Sequence, residues 1–405
     1  MSSSDPSEIT LENPCIKYIT VFIQSDSDLT KFSKKYKRCS THIQDSESIA
    51  IVLFYYVDVE IELAIPDMDD YPIVEITFGW KYNFPIVSLP KSLMVVKFGW
   101  NFNSHIYGWG PRVYKVIFNY SFNLDVQRYP PNLKHIEFGS KFNRSVDHLP
   151  ECVESIVFSN EFNVPISKYP ARLRYIKFGW EFNQALGPLP PSCKTVAFGW
   201  NFDQPLDDLP CLLENLVLGW SFNQPLECLP QHLVSLTCGA NYNHPLNNLP
   251  ASLRHLSLGW NYTRRLDFLP CGLTSLKCGN MFNNSVDDFP NSLLDIDYGN
   301  NFDRPVNVIP SHVETLKFGY HFNQPLPALP ASLRALHFGF KFDQPISDLL
   351  PRGLRRLTMG TLFNFPLNNL PDSLEVLELG SMFSYYIRQI PQNITRLVIG
   401  STVIV

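Results

Sequence analysis

Phe98-Gly99-Trp100-Asn101-Phe102-Asn103 returns as Phe138-Gly139-Ser140-Lys141-Phe142-Asn143 and again as Phe178-Gly179-Trp180-Glu181-Phe182-Asn183, and the 20-residue phrase runs on to Leu379-Gly380. A fixed period in this range marks a solenoid, in which each unit is one coil that cannot bury its apolar face until neighbours stack on it. One elongated body therefore replaces the two or three globular domains that 405 residues would ordinarily suggest. Function is to be sought on a surface and not in a pocket.

Residues 209–228 give the unit almost whole: Leu209-Pro210-Cys211-Leu212-Leu213-Glu214-Asn215-Leu216-Val217-Leu218-Gly219-Trp220-Ser221-Phe222-Asn223-Gln224-Pro225-Leu226-Glu227-Cys228. Pro210 and Pro225, then Pro230 and Pro245, leave no stretch able to keep the i to i−4 bonds of a long helix. The return side is expected to be turns and extended chain. Between the prolines, apolar residues stand two apart, as in Leu236 and Cys238 or Leu256 and Leu258, which fits a short strand with one buried face. One strand per coil predicts a long parallel sheet with about 4.8 Å between coils.

The other repeated positions read as structural. Glycine after the strand, at Gly79, Gly99, Gly139, Gly179, Gly199 and onwards through Gly239 to Gly400, with Asn119 and Ser159 as exceptions, predicts a bend with positive φ. The aromatic that follows, from Tyr82 and Phe102 to Phe363 and Phe383, predicts a buried spine of rings. Next comes a short polar residue, Asn103, Asn123 and Asn143 through Asp303, Asn323 and Asp343, expected to bond the backbone of the adjacent coil.

Phe162-Asn163-Val164-Pro165-Ile166 and the many Phe-Asn-Gln-Pro-Leu variants resemble FNIP repeats, a class known chiefly from social amoebae and the giant DNA viruses that infect amoebae. Phrase, period and Leu-Pro punctuation recur together over roughly residues 66–400. FNIP units are similar to leucine-rich repeats, so the resemblance implies a mainly β, leucine-rich-repeat-like solenoid of about sixteen coils over residues 66–405. It also implies a protein-interaction scaffold, sometimes joined to an F-box that recruits a ubiquitin ligase. Residues 16–24 and 49–63 read as strands from their β-branched and aromatic content, and residues 28–38 as a helix. A small α/β N-terminal cap over residues 1–65 is therefore favoured over an F-box, with a ubiquitin-ligase adaptor as the alternative function.

Composition narrows the partners. A net charge of −5 gives no long-range attraction for nucleic acid or an anionic membrane, and no apolar run reaches the roughly 20 residues of a membrane helix. The opening Met1-Ser2-Ser3-Ser4-Asp5-Pro6 is neither a basic nor an apolar targeting segment, so a cytoplasmic protein is expected, in the host cytoplasm if the source is a virus. Nine cysteines form no C-x-x-C pair, and Cys193, Cys238 and Cys278 stand at core phases. Lys31, Lys34, Lys35, Lys37 and Arg38 read as the wet face of the cap helix, and Asp207-Asp208 and Asp287-Asp288 as solvated acids of the return side.

No phosphate-binding loop, dinucleotide fingerprint, zinc spacing or nucleophile elbow is present, so neither catalysis nor a cofactor or metal is expected. Variation is informative on the strand face turned away from the core. There Tyr175 and Lys177, then Asp295, Asp297, Lys317, His337 and Arg356, make a mixed-charge strip expected to bind a protein partner on the concave side. His337 and Glu314, if neighbours, read as a solvated surface pair. The apolar Thr402-Val403-Ile404-Val405 is expected to leave an open sheet edge that pairs with another molecule. Trp80, Trp100, Trp180, Trp200, Trp220 and Trp260 share one phase, as a rim of exposed rings or as partial core.

Overall fold

In the computed structural model the described residues are 18–23, 50–55, 73–385, 387 and 389–404, with side chains from residue 73 onward. They form a parallel β-solenoid of about 16 turns with almost no helix. The helix expected at residues 28–38, and with it the basic cluster, lies outside the described residues.

Two compact units divide the chain, Met1–Cys193 with Phe198–Trp200, and Lys194–Ala197 with Asn201–Val405. In the first, β1 (Tyr18–Ile23), β2 (Ala50–Tyr55) and β3 (Ile73–Phe78) pair in parallel and are continued by three-residue strands: β4 (Val95–Lys97), β5 (Lys115–Ile117), β6 (His135–Glu137), β7 (Ser155–Val157) and β8 (Tyr175–Lys177). In the second, a parallel ladder runs through β9 (Thr195–Ala197), β10 (Asn215–Val217), β11 (Ser235–Thr237), β12 (His255–Ser257), β13 (Ser275–Lys277), β14 (Asp295–Asp297), β15 (Thr315–Lys317), β16 (Ala335–His337), β17 (Arg356–Thr358), β18 (Val376–Leu379) and β19 (Arg396–Ile399). Thr402 and Val403 then turn back as β20 (Thr402–Val403), antiparallel to Val398 and Ile399, so the edge of β19 read as open is paired over those residues.

Each coil is bent by two short turns that explain its punctuation. Leu213 N–H donates to the Pro210 carbonyl (3.0 Å) and Phe222 N–H to the Gly219 carbonyl (3.3 Å), and the same pair of bonds recurs along the chain. Proline and glycine thus open the two turns of the coil. The extra residue at Leu349-Leu350-Pro351 is taken up by a 3-10 turn, Ser347–Leu349, on the return side. Strand register is unaffected, with Ala335 opposite Arg356.

The core holds two columns of rings. Tyr82, Phe102, Phe122, Phe142, Phe162 and Phe182 stack at 5.9–6.1 Å in the first unit, as do Phe302, Phe322 and Phe342 at 5.9 Å in the second. Rings at the end of the strand form a second column and lie against the first within the same coil, as Phe118 does on Phe122 at 3.8 Å. From Leu218 to Cys278 that second column thins to Leu218, Cys238, Leu258 and Cys278, all buried. Alongside them the first column carries Tyr242 and Tyr262, whose buried hydroxyls have no hydrogen-bond partner among the described residues. Burial pushes the Tyr242 and Tyr262 phenols and the Cys238 thiol upward, so all three stay protonated.

The glycine expectation is corrected. Among the described glycines only Gly299 and Gly400 have positive φ, 78° and 62°. The position is glycine because coils approach closely there: a Cβ at Gly239 would stand 1.7 Å from the Gly219 carbonyl oxygen, and one at Gly259 equally close to that of Gly239. Asn119 and Ser159 carry a Cβ at this phase without a positive φ, so the close approach excludes a side chain in most coils and not in all.

Side chains then tie coil to coil. Asn143, Asn163 and Asn183 each donate a backbone N–H to the Asn Oδ1 of the coil before, at 2.9–3.0 Å; further on Asn243 and Asp343 donate likewise to Asn223 and Asn323, while Asn223 and Asn323 donate to the carboxylates of Asp203 and Asp303. Serine of the Leu-Pro-x-Ser phrase makes a second ladder. Ser252, Ser292 and Ser332 donate to the carbonyls of Leu233, Leu273 and Val313 at 2.6–2.7 Å. Asp287 is more than a solvated acid: its carboxylate accepts the Asn307 N–H (3.1 Å) and side-chain amide (2.9 Å), and these bonds hold its carboxyl below the usual range.

Candidate functional site

Each three-residue strand buries only its middle side chain and turns its first and third outward. The outward residues stack in two columns, because parallel register places position on position. In the first unit Tyr175 follows Lys115, His135 and Ser155, and Lys177 follows Ile117, Glu137 and Val157. Tyr175 is half-buried and Lys177 exposed.

The second unit brings together the other five expected residues. One column reads Asp295, Thr315, Ala335, Arg356 and Val376, and the other Asp297, Lys317, His337, Thr358 and Glu378. Lys317 pairs with Asp297 at 3.0 Å, and Asp297 also accepts the N–H of Gly299 at 3.0 Å. Asp297 is therefore committed to its own coil as well as to its neighbour. Arg396 pairs with Glu378 at 3.0 Å, extending the patch by two residues the sequence reading passed over. Solvated pairs of this kind contribute about 0.2–1 kcal/mol each. Asp295 and Arg356, both exposed, have side chains without an ion pair or hydrogen bond among the described residues.

His337 lies between Lys317 and Thr358 in register, and Glu314 is in neither column. Burial, with Arg356 and Lys317 close by, holds the His337 imidazole below its usual value. It is thus a neutral donor or acceptor at neutral pH and adds no positive charge to the patch.

The tryptophan phase is exposed. Trp80 keeps 66% of its surface, Trp180 59% and Trp260 55%. Trp80 stacks on Trp100 (5.8 Å) and Trp100 on Tyr120 (4.4 Å), a rim of rings beside the strand face. Behind them, on the return side, a cleft of about 240 Å³ lined by His105, Tyr107, Asp125 and Arg128 marks coils that lack the second proline. It falls below the roughly 300–1,000 Å³ of small-molecule sites. Among the described residues no group of three His, Cys, Asp or Glu is placed to hold a metal, and no helix is long and apolar enough to cross a membrane.

Comparison with known proteins bears on the fold. The FNIP Repeat family model matches residues 202–240, 242–281 and 322–362. Among solved structures, YopM from Yersinia enterocolitica WA-314 is similar over 90% of this chain and 98% of its own, at 16% identity and a TM-score of 0.53. CroV588, described as a novel circular LRR protein structure, is 25% identical over 85% of this chain and 71% of its own, with a TM-score of 0.48. No curated protein matches the chain. Over those three segments the chain matches FNIP repeats, and its 20-residue phrase folds as the parallel coil of a leucine-rich-repeat-like solenoid.

Proposed function

We propose that the chain is a non-catalytic protein-interaction scaffold that receives a protein partner on the outward strand face. The patch of Asp295, Asp297, Lys317, His337 and Arg356 in the second unit is the main contact, and Tyr175 with Lys177 in the first unit is an additional one. A leucine-rich-repeat-like solenoid is a general setting for such binding. The observation that carries the reading is the division of labour within a coil. Core columns, turns and the Asn and Ser ladders occupy the buried and return positions, while Asp295 and Arg356 leave charge exposed and uncommitted on the strand face.

Affinity capture with the intact chain tests this, comparing wild type with the Asp295→Lys, Arg356→Glu double variant. The captured partner is expected to be lost while circular dichroism and melting are unchanged. A partner retained by the folded double variant overturns the assignment. Asp295 is preferred to Asp297 for the purpose, since replacing Asp297 would also remove its bond to Gly299. The ubiquitin-adaptor alternative rests on residues 1–65, where β1 and β2 are the described elements, and gains no support from them.

A further inference from the structure

Asp295 and Arg356 occupy the same outward column, separated by Thr315 and Ala335. Three strand steps of about 4.8 Å put their Cα positions roughly 14 Å apart. The floor between them is made of two short side chains, and the neighbouring charge of Asp297 and Lys317 is already paired. From this spacing we infer the form of the partner, resting on the assignment of the strand face above: an extended protein segment that crosses the strands with a cationic side chain over Asp295 and a carboxylate over Arg356, four residues apart.

The number four follows from geometry. An extended chain advances about 3.3–3.4 Å per residue, so roughly 14 Å is four residues, and an even separation puts both side chains on the same side of the segment. Residue i+2 points down as well and meets Thr315 and Ala335, which leave room for it. Separations of three or five turn one charge away from the sheet, while two and six fall short or overshoot by about 7 Å. A segment running along the strands is excluded by their length, since three residues span about 10 Å and both lone charges lie across the ladder. Arg356 suits a carboxylate because its guanidinium presents two parallel donors. The sheet N–H and C=O groups are engaged by neighbouring coils, so recognition is through side chains and weakens with salt.

Fluorescence anisotropy with the full chain and labelled ten-residue peptides tests the inference. Thr- and Val-rich peptides, kept extended by their β-branched residues, carry one Lys and one Glu separated by two, three, four or six residues. The separation of four is expected to bind at least five-fold tighter than the rest. That preference should vanish in Asp295→Asn and in Arg356→Gln, persist in Asp207→Asn on the return side, and fade at 1 M salt. Equal binding at all separations, or a preference that survives both substitutions, overturns it. If no peptide binds but the double variant of the capture experiment still loses its protein partner, the extended segment is wrong and the face assignment stands.

Discussion

Replacing Phe222 by alanine is the perturbation whose cost is best defined by the packing. Phe222 is fully buried and lies between Phe202 at 6.0 Å and Tyr242 at 6.1 Å, nearly parallel to both. Removing the ring forfeits about 1.5–3 kcal/mol of apolar burial. Loss of two stacked contacts, each about 0.5–1.5 kcal/mol, and an unrelaxed cavity bring the expected cost to about 3–5 kcal/mol. Within the same coil Trp220 is 44% exposed, so Trp220→Ala gives up only partial burial and is expected to cost about 1 kcal/mol. Solenoids lose stability coil by coil and their melts need not be two-state. The two variants are therefore compared with each other and with wild type in urea and in thermal melts. A unit of about 200 residues shifts by 2–4 °C per kcal/mol, so Phe222→Ala should lower the transition by roughly 10 °C and Trp220→Ala by about 2–4 °C. A cost under 1 kcal/mol for Phe222→Ala, or equal costs for the pair, would refute a ring column as the stabilising element between coils.

Three further outcomes follow from the ladders and the buried polar groups. Asn223→Ala removes the acceptor of the Asn243 N–H and should cost about 1 kcal/mol in urea denaturation, whereas Asn223→Asp should cost little, because Asp203, Asp303 and Asp343 already serve as acceptors in the same ladder. Tyr262→Phe deletes a buried hydroxyl without a hydrogen-bond partner and is expected to leave stability unchanged or raise it by up to about 1 kcal/mol; a loss of that size would mean that the nearby Leu246 N–H bonds it. The folded pKa of His337 lies below that of the unfolded chain, so as pH falls through about 6.5 the unfolded state takes up the proton first and stability declines. His337→Gln should flatten the pH–stability curve below that point, and an unchanged slope would show that His337 is not the group responsible.

Much of this molecule is legible in the sequence because the period does the work of a structure. Once Phe98, Phe118 and Phe138 are known to share a phase, register, core columns and the Asn ladder follow from stacking alone. What the period does not encode is the distance between coils. Gly239 therefore looked like a positive-φ bend when it is a point of backbone contact, and the serines of the Leu-Pro-x-Ser phrase gave no sign of the carbonyls they reach. The strand-face strip was partly legible, since residues two apart point the same way, but pairing was not. Whether Asp297 is committed to Lys317 and Gly299 while Asp295 is free depends on side-chain reach across the ladder. Repetition marks what every coil needs; the phase of Trp80 and Trp180 varies from coil to coil, so the period carries no sign of their exposure.

Covalent labelling of the chain with and without its captured partner tests the central claim most directly, carbodiimide for carboxylates and acetylation for lysines, read by mass spectrometry. The strand-face account predicts that Asp295 and Lys317 are protected in the complex while Asp207 and Asp288 on the return side label as in the free chain. Protection confined to the return side, with Asp295 and Lys317 fully reactive, would contradict it.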